Sequence, residues 1–135
     1  MTDMELETLP HSLSMEQAVI AGLMAGDGWD DVSGLIVEDD FYSPRHAVMF
    51  RGVAALASSG KPADALTLAD WLSSHGMMDK AGGEEYLADL LKSTPASTVN
   101  IKSYAARVHD LAIRRRLYLI GENIRAMASD KAREL

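Results

Sequence analysis

The sequence contains four histidines, and histidine is the residue type most often used as a metal ligand or as a general acid or base. They are His11, His46, His75 and His109. All four fall in different segments, and no pair has the i, i+4 spacing with which a helix presents two ligands to one metal ion. Cysteine is absent, which removes thiolate sites and disulfides. The histidines are therefore predicted to be helix caps, surface residues or hydrogen-bonded core residues.

The acidic segment Glu38-Asp39-Asp40 and the pair Gly60-Lys61 are two further places to look for a ligand site. Acidic residues this close together raise the question of a calcium-binding loop. The pattern is absent, because neither Asp27 nor Asp30, which precede this segment, begins the alternating acidic series with glycine at the sixth position that such a loop requires. A phosphate-binding loop needs Ser or Thr after the lysine, but Pro62 follows Lys61 here. Paired acids such as those at 84 and 85 point about a quarter-turn apart on a helix. The sequence thus predicts no catalytic, cofactor-binding or metal-binding residue, and a chain that is not itself an enzyme.

The run Arg114-Arg115-Arg116 is the one concentrated basic feature. Residues 1–99 contain 16 acidic and 5 basic residues, and residues 100–135 contain 4 and 8, so their net charges are −11 and +4. Most of the chain would repel nucleic acid, which is bound largely through basic contacts to phosphates. The arginines are expected to form a solvated helix face or salt bridges with the acidic part of the chain. A weak contact to DNA or to an acidic partner is the alternative.

Apolar spacing predicts that one long helix runs from Asn100 to about Ala128 and that it has two apolar faces. The first face comprises Ile101, Tyr104, Ala105, Val108, Leu111 and Ala112. The second, called the distal stripe below, comprises Ile113, Leu117, Ile120, Ile124 and Met127. A helix of this length spans about 45 Å, more than the preceding residues need to cover. We expect a second copy of the chain to bury the distal stripe; the alternative is that the last ten residues fold back over it.

Five shorter helices are predicted before the long one, with no sustained alternation typical of a strand. Their start signals are, in order, the capping box Ser14-Met15-Glu16-Gln17, Asp27 or Asp30 for a short helix carrying Trp29, Ser43-Pro44, Thr67 with Asp70, and Gly82-Gly83. The third is expected to end near Ser58, and Gly76 is expected to end the fourth. The predicted fold is all-α, with a disordered arm over residues 1–11, a compact helical head over 12–98, and a long hairpin helix with the C-terminal end over 99–135.

A length of 135 residues is enough for one domain with its own core. No apolar run approaches the length of a membrane span, and the acidic, polar N-terminus does not resemble a secretion signal. The expected location is therefore cytoplasmic, without membrane partners.

Several stretches in this order resemble one protein family. They are Pro10-His11-Ser12; Glu16-Gln17-Ala18-Val19-Ile20 with Gly22 and Met24; Asp39-Asp40-Phe41-Tyr42 with His46 and Phe50; Gly60-Lys61-Pro62-Ala63-Asp64 with Leu66-Thr67; Gly82-Gly83 with Tyr86-Leu87 and Leu90; and Pro95, Asn100, Tyr104, Val108 and Arg115. Together they resemble the N-terminal domain of replicative DNA helicases of the DnaB family. The chain departs from the family pattern at Ser14, often an acid there, and at Arg114, usually apolar.

The resemblance implies a helical head followed by a helical hairpin through which two copies pair. It also implies that six copies form a ring collar and that the collar docks the C-terminal domain of primase; a helicase loader is a further candidate partner. ATP and magnesium would be bound only by the family's motor domain, C-terminal to this one, so no cofactor is expected here. The implied function is that of a non-catalytic collar that oligomerises and docks primase in DNA replication.

Tyr86 and four residues of the distal stripe, Ile113, Leu117, Ile120 and Ile124, are the predicted protein-binding residues. Tyr86 could equally fill the core, because an aromatic ring with a polar tip serves either purpose. Two other functions stay open. One is a stand-alone phage or plasmid protein that mimics this domain and regulates a helicase, primase or loader. The other is a helical bundle with unrelated partners.

Overall fold

The computed structural model describes residues 9–26, 28–93 and 100–131, and these contain six α-helices and no strand. The helices are α1 (Leu13–Ala25), α2 (Trp29–Val32), α3 (Pro44–Ser58), α4 (Ala65–Ser74), α5 (Gly83–Ser93) and α6 (Ile101–Ser129). A short 3-10 helix, Glu38–Asp40, lies between α2 and α3. The all-α prediction is confirmed. Among the residues described, no helix is both long and apolar enough to cross a membrane.

Helix α1 lies at the centre of the head. It packs against α3, α4, α5 and α6, and every residue from Val19 to Met24 is buried. An amphipathic surface helix would bury only one stripe, so the continuous apolar run is what allows α1 to be enclosed on nearly all sides. Around it, one core joins Val19 and Ile20 to Phe50 of α3, Leu68 of α4 and Val108 of α6.

The first residue of α6 is held against α1 through a glycine. A Cβ atom added at Gly22 would lie 2.8 Å from Cδ1 of Ile101, which is closer than side-chain carbons approach. Gly22 therefore allows the start of the long helix to contact the backbone of α1. The first apolar face of α6 continues this contact, because Ala105, Val108 and Leu111 are also buried.

Two predicted helix caps are wrong by two or three residues, and a third candidate, Asp30, lies inside α2, whose cap position is Gly28. The side chain that caps α1 is that of Ser12, which accepts a hydrogen bond from the Met15 amide at 3.3 Å, and Ser14 is exposed inside the helix. Helix α4 is capped by Asp64, which accepts from the Thr67 amide at 2.9 Å. Each helix begins earlier than predicted because the chain offers two cap-forming residues close together. The predicted ends of α3 and α4 agree with the structure, since Gly76 follows α4 with φ +66°.

The predicted disordered arm over residues 1–11 is wrong at its C-terminal end; residues 1–8 lie outside the described part of the chain. Leu9 is buried, and the His11 ring stacks on Tyr42 with 3.9 Å between ring centroids. Pro95, which the sequence predicts to separate α5 from α6, also lies outside the described residues. The ordered part of the head thus begins at least three residues before the predicted boundary.

Candidate interaction surface and the polar network that orients it

The distal half of α6 leaves the head and exposes apolar side chains. The 29 residues of this helix make a rod of about 43 Å. Its residues 101–112 pack on the head, whereas the larger members of the distal stripe are exposed: Ile113 by 40%, Leu117 by 63%, Ile120 by 55% and Ile124 by 61%. At about 100° per residue, the stripe lies on the side of α6 opposite its buried face. This is a candidate surface for protein binding.

Tyr118 and Leu119 are exposed apolar residues that the sequence reasoning missed, each 42% accessible. Leu119 lies seven residues after the buried Ala112 and therefore on the same side of the helix as the head. The signal was present in the sequence as a continuation of the first apolar face. The exposure of these two residues was missed because the head ends before the helix does, and tertiary packing decides where the head ends.

The three arginines at the base of this surface have different environments. Arg115 is buried and donates to the carbonyl oxygens of Pro10 at 2.9 Å and Asp40 at 2.7 Å. Arg116 pairs with the Asp40 carboxylate and Arg114 with that of Asp110. The predicted external contact is therefore wrong for Arg115, whose guanidinium binds the head internally. The expected salt bridge to the acidic part of the chain is formed by Arg116, whereas Arg114 pairs with Asp110 of its own helix.

Asp40 is the residue that connects α6 to the head. Its carboxylate accepts hydrogen bonds from Arg116 at 2.7 Å, from His109 at 3.0 Å and from the Val37 amide at 3.0 Å. The set of Asp40, His109, Arg115 and Arg116 is called the Asp40 clamp below. It lies where α6 leaves the head, so it fixes the direction in which the distal stripe points.

The ionisation of the clamp follows from its surroundings. Burial raises the pKa of Asp40, but the hydrogen bonds from His109, the Val37 amide and Arg116 lower it by more, so it lies below its ordinary value. Burial also lowers the pKa of Arg115, opposed by the carboxylates of Glu16 and Asp40. A guanidinium stays protonated in proteins despite such a decrease. The clamp therefore pairs an ionised carboxylate with the Arg116 guanidinium, while the Arg115 guanidinium binds the backbone carbonyl of the same residue.

A second polar network lies inside the head around Glu16, which is only 1% exposed. Its carboxylate accepts from the backbone amides of Tyr42 at 2.8 Å and Ser43 at 3.2 Å, and from Nδ1 of His46 at 2.8 Å. Ser43 makes no capping bond with its own side chain. Glu16 from α1 thus satisfies the start of α3, which is how a buried carboxylate is tolerated.

Tyr86 belongs to this network. Its hydroxyl lies 2.6 Å from Nε2 of His46 and accepts a hydrogen bond from the side-chain amide nitrogen of Gln17 at 3.3 Å. The ring is partly buried against the core, with the Arg45 guanidinium 4.9 Å from its centroid. Of the two roles predicted for Tyr86, the contacts support the one inside the core. No sequence pattern indicated the network, because Glu16 and His46 are 30 residues apart and His46 and Tyr86 are 40 residues apart.

The described residues contain no group of three or more acids and histidines that could hold a metal ion. Each buried polar side-chain atom among them has a hydrogen-bond partner. The buried acids and histidines of the head are therefore accounted for by internal structural contacts.

Comparison with known proteins gives a consistent result. The sequence model of the DnaB-like helicase N-terminal domain family matches residues 8–110. The replicative DNA helicase DnaB of Pasteurella multocida is 40% identical over 116 residues, which are 85% of this chain and 25% of the relative. That of Haemophilus influenzae is 39% identical over the same shares. The chain therefore spans about a quarter of the length of the curated relatives that it matches.

Two solved structures share the fold. The N-terminal domain of DnaB helicase from Mycobacterium tuberculosis is 32% identical, with a TM-score of 0.87 over 93% of this chain and 91% of that one. The corresponding domain from Helicobacter pylori, described together with its interactions with primase, is 20% identical. It superposes with a TM-score of 0.72 over 96% of this chain and 100% of that one, a likeness of fold.

Proposed function

This chain belongs to the DnaB-like helicase N-terminal domain family, and on that premise we propose that it serves as the collar of a replicative helicase. In this proposal it associates with copies of itself and docks primase, while ATP hydrolysis belongs to the motor domain of such helicases. The observation that carries the proposal is the exposed distal stripe on a helix that the head does not cover.

The physical support for self-association is the exposure of the stripe. Isoleucine and leucine side chains at Leu117, Ile120 and Ile124 are each more than half exposed and adjacent on one helix face. Contiguous apolar surface of this kind marks sites of protein binding. Burying such side chains against a partner stabilises by about 1.5–3 kcal/mol each relative to leaving them in water.

Sedimentation velocity over a concentration series tests this association. The parent protein should form dimers or larger assemblies, and Ile120→Glu should shift it to monomer because a charge would be buried in the contact. Leu13→Glu is the control, since Leu13 is 46% exposed on α1 and is not a member of the stripe. A parent protein that stays monomeric at the highest concentrations contradicts self-association.

The support for primase docking is the fold shared with the Helicobacter pylori domain, described with its interactions with primase. We assign the docking surface to the part of the distal stripe, with Ile113, Leu117, Ile120 and Ile124, that self-association leaves exposed. Tyr86, predicted as a further anchor, has its hydroxyl bound to His46 within the head. Its contribution is therefore proposed to be structural, through the position of α5.

Titration with the C-terminal domain of primase tests the docking. Ile120→Ala should weaken binding about thirtyfold, since truncating an interface anchor costs about 2 kcal/mol or more. Leu13→Ala should leave the affinity unchanged. If both variants bind primase as the parent does, the docking surface lies elsewhere. The relatives described above are replicative helicases and lend no support to a stand-alone regulator.

A further inference from the structure

A row of hydrogen bonds leads from the interior of the head to its surface. The Glu16 carboxylate lies 2.8 Å from Nδ1 of His46, and Nε2 of the same ring lies 2.6 Å from the Tyr86 hydroxyl. That hydroxyl is 3.3 Å from the side-chain amide nitrogen of Gln17. Glu16 and His46 are each 1% exposed, whereas Gln17 is partly exposed. These four residues, called the His46 network below, connect a buried ionisable pair to the surface.

The surroundings of Glu16 fix the direction of these hydrogen bonds when His46 is neutral. The carboxylate accepts from two backbone amides just before α3, so it is an acceptor and the ring donates to it from Nδ1. In a neutral imidazole the other nitrogen is then an acceptor. The Tyr86 hydroxyl therefore donates to Nε2 of His46 and accepts from Gln17.

The His46 network can also accommodate a protonated ring. Histidine is the side chain whose charge ordinarily changes between about pH 5 and 8, and burial opposes the charged form unless other groups compensate. Glu16, in contact with Nδ1, supplies the opposite charge. The Tyr86 hydroxyl and the Gln17 amide can each act as donor or acceptor, so an N–H group at Nε2 can be satisfied without moving a helix.

Charged groups from three further elements surround the pair. Arg45 is the neighbour of His46 along α3. On α6, the pKa of Arg115 is lowered by burial and raised in part by the carboxylates of Glu16 and Asp40. Asp40, in the 3-10 helix, is itself bound within the Asp40 clamp. The arginines oppose a further positive charge at His46, and Glu16, in direct contact with the ring, favours it.

We propose that the His46 network is a pH-responsive device in which protonation of His46 reverses the hydrogen bonds between the ring and Gln17. Once Nε2 takes a proton from the solvent, it donates to the Tyr86 hydroxyl, whose own hydrogen turns toward Gln17. A half-turn of the Gln17 amide exchanges its oxygen and nitrogen in nearly the same place and presents an acceptor. Helices α1, α3 and α5 stay joined in both states, and the amide atom that Gln17 presents to the solvent changes from oxygen to nitrogen.

Nuclear magnetic resonance of ¹⁵N-labelled protein tests both states. At about pH 8 the ring nitrogens of His46 should show the Nδ1–H tautomer, and on titration to about pH 5.5 the ring should become protonated. The side-chain amide signals of Gln17 should change with the same midpoint. In Tyr86→Phe these signals should no longer follow the ring, because the hydroxyl that couples the two groups is absent.

Three results would overturn the proposal. They are an Nε2–H tautomer at the higher pH, a ring that stays neutral throughout the titration, and Gln17 signals that respond equally in Tyr86→Phe. The last result would mean that Gln17 senses only the charge of the ring and does not turn.

The melting temperature of Gln17→Met gives an independent measurement. This variant removes the acceptor that the Tyr86 hydroxyl needs when His46 is protonated. Relative to the parent, its melting temperature should fall by less than about 2 °C at about pH 8 and by about 3–5 °C at about pH 5.5, as expected for one unsatisfied group in a domain of this size. Tyr86→Phe should be less stable than the parent at both pH values. An equal loss at the two pH values in Gln17→Met contradicts the reversal.

Discussion

Among single residues, Asp40 binds α6 through both its carboxylate and its backbone carbonyl. Asp40→Asn removes the charge that Arg116 and His109 bind, and it places a donor amide among donors. We expect a loss of roughly 2–3 kcal/mol in the free energy of unfolding at neutral pH, measured by urea denaturation. Asp39→Asn, at the exposed neighbouring position, should change it by less than about 0.5 kcal/mol.

Comparison of the parent protein with Asp40→Asn also predicts that stability depends on pH. The pKa of Asp40 is lowered in the folded protein, so its contribution to stability is complete above the unfolded value of about 3.9. The contribution is lost as the pH falls through the lower folded pKa. The difference in unfolding free energy between the parent and Asp40→Asn should therefore shrink on acidification below about pH 4. A difference that stays constant there would contradict the role of this charge.

Tyr86 can be tested by removing its hydroxyl alone. Tyr86→Phe keeps the ring against the core and beneath Arg45 but leaves Nε2 of the buried His46 without its partner. The melting temperature should fall by an amount equivalent to about 1–3 kcal/mol, the cost of a buried unsatisfied group. Tyr104→Phe is the control, because Tyr104 is also partly buried and no hydrogen bond of its hydroxyl is found among the described residues. An unchanged melting temperature for Tyr86→Phe would contradict the network.

This expectation follows from the core role that the sequence allowed for Tyr86 beside a partner-binding one. Apolar spacing placed Tyr86 correctly at the start of a helix, as the positions of Gly82 and Gly83 show. It could not show that the hydroxyl reaches His46, because contacts between distant segments leave no periodic signal. The same is true of Asp40 and Arg115, which appeared in the sequence as members of charge runs.

At the scale of elements, replacing either of two helical glycines with alanine should change stability in opposite directions. A Cβ at Gly121 in α6 would meet nothing within 4 Å, whereas one at Gly52 in α3 would lie 2.6 Å from Leu68. Gly121→Ala should stabilise α6 by up to about 1 kcal/mol through helix propensity. Gly52→Ala should destabilise the protein through overpacking. Hydrogen exchange in the distal half of α6 measures the effect of Gly121→Ala, and the melting temperature measures that of Gly52→Ala. Stability changes of the same sign in the two variants would contradict these expectations.

Element boundaries show how far the sequence could be read. Ser43-Pro44 located the start of α3 correctly, because proline is suited to the first helical position. The starts of α1 and α4 were misplaced, because Ser12 and Asp64 compete with later cap-forming residues and local patterns do not rank them. The distal stripe was identified because helical periodicity depends only on local spacing. Its exposure is a property of the whole fold.

At the scale of the whole molecule, the charge distribution predicts weak binding to single-stranded DNA. The net charge is −7, and the three consecutive arginines are engaged with Asp110, Asp40 and the Pro10 carbonyl. Fluorescence anisotropy with a labelled oligonucleotide should detect binding only at low ionic strength, where phosphate contacts are strongest. Arg114→Ala should reduce that signal, and Leu13→Ala should not. Tight binding at physiological salt would contradict the charge argument.

The Asp40 clamp is also the point at which a small tilt of α6 would move its far end by a larger distance. From Arg116 to Ser129 the helix extends about 20 Å beyond the clamp, so a tilt of about 10° there would move its tip by about 3 Å. Displacement of that size is about half of the roughly 5–6 Å between neighbouring side chains on one face of a helix. A substitution at Asp40 could therefore change which side chains meet across an assembly without altering any residue that touches the partner. The buried acid would affect assembly by setting the direction of α6.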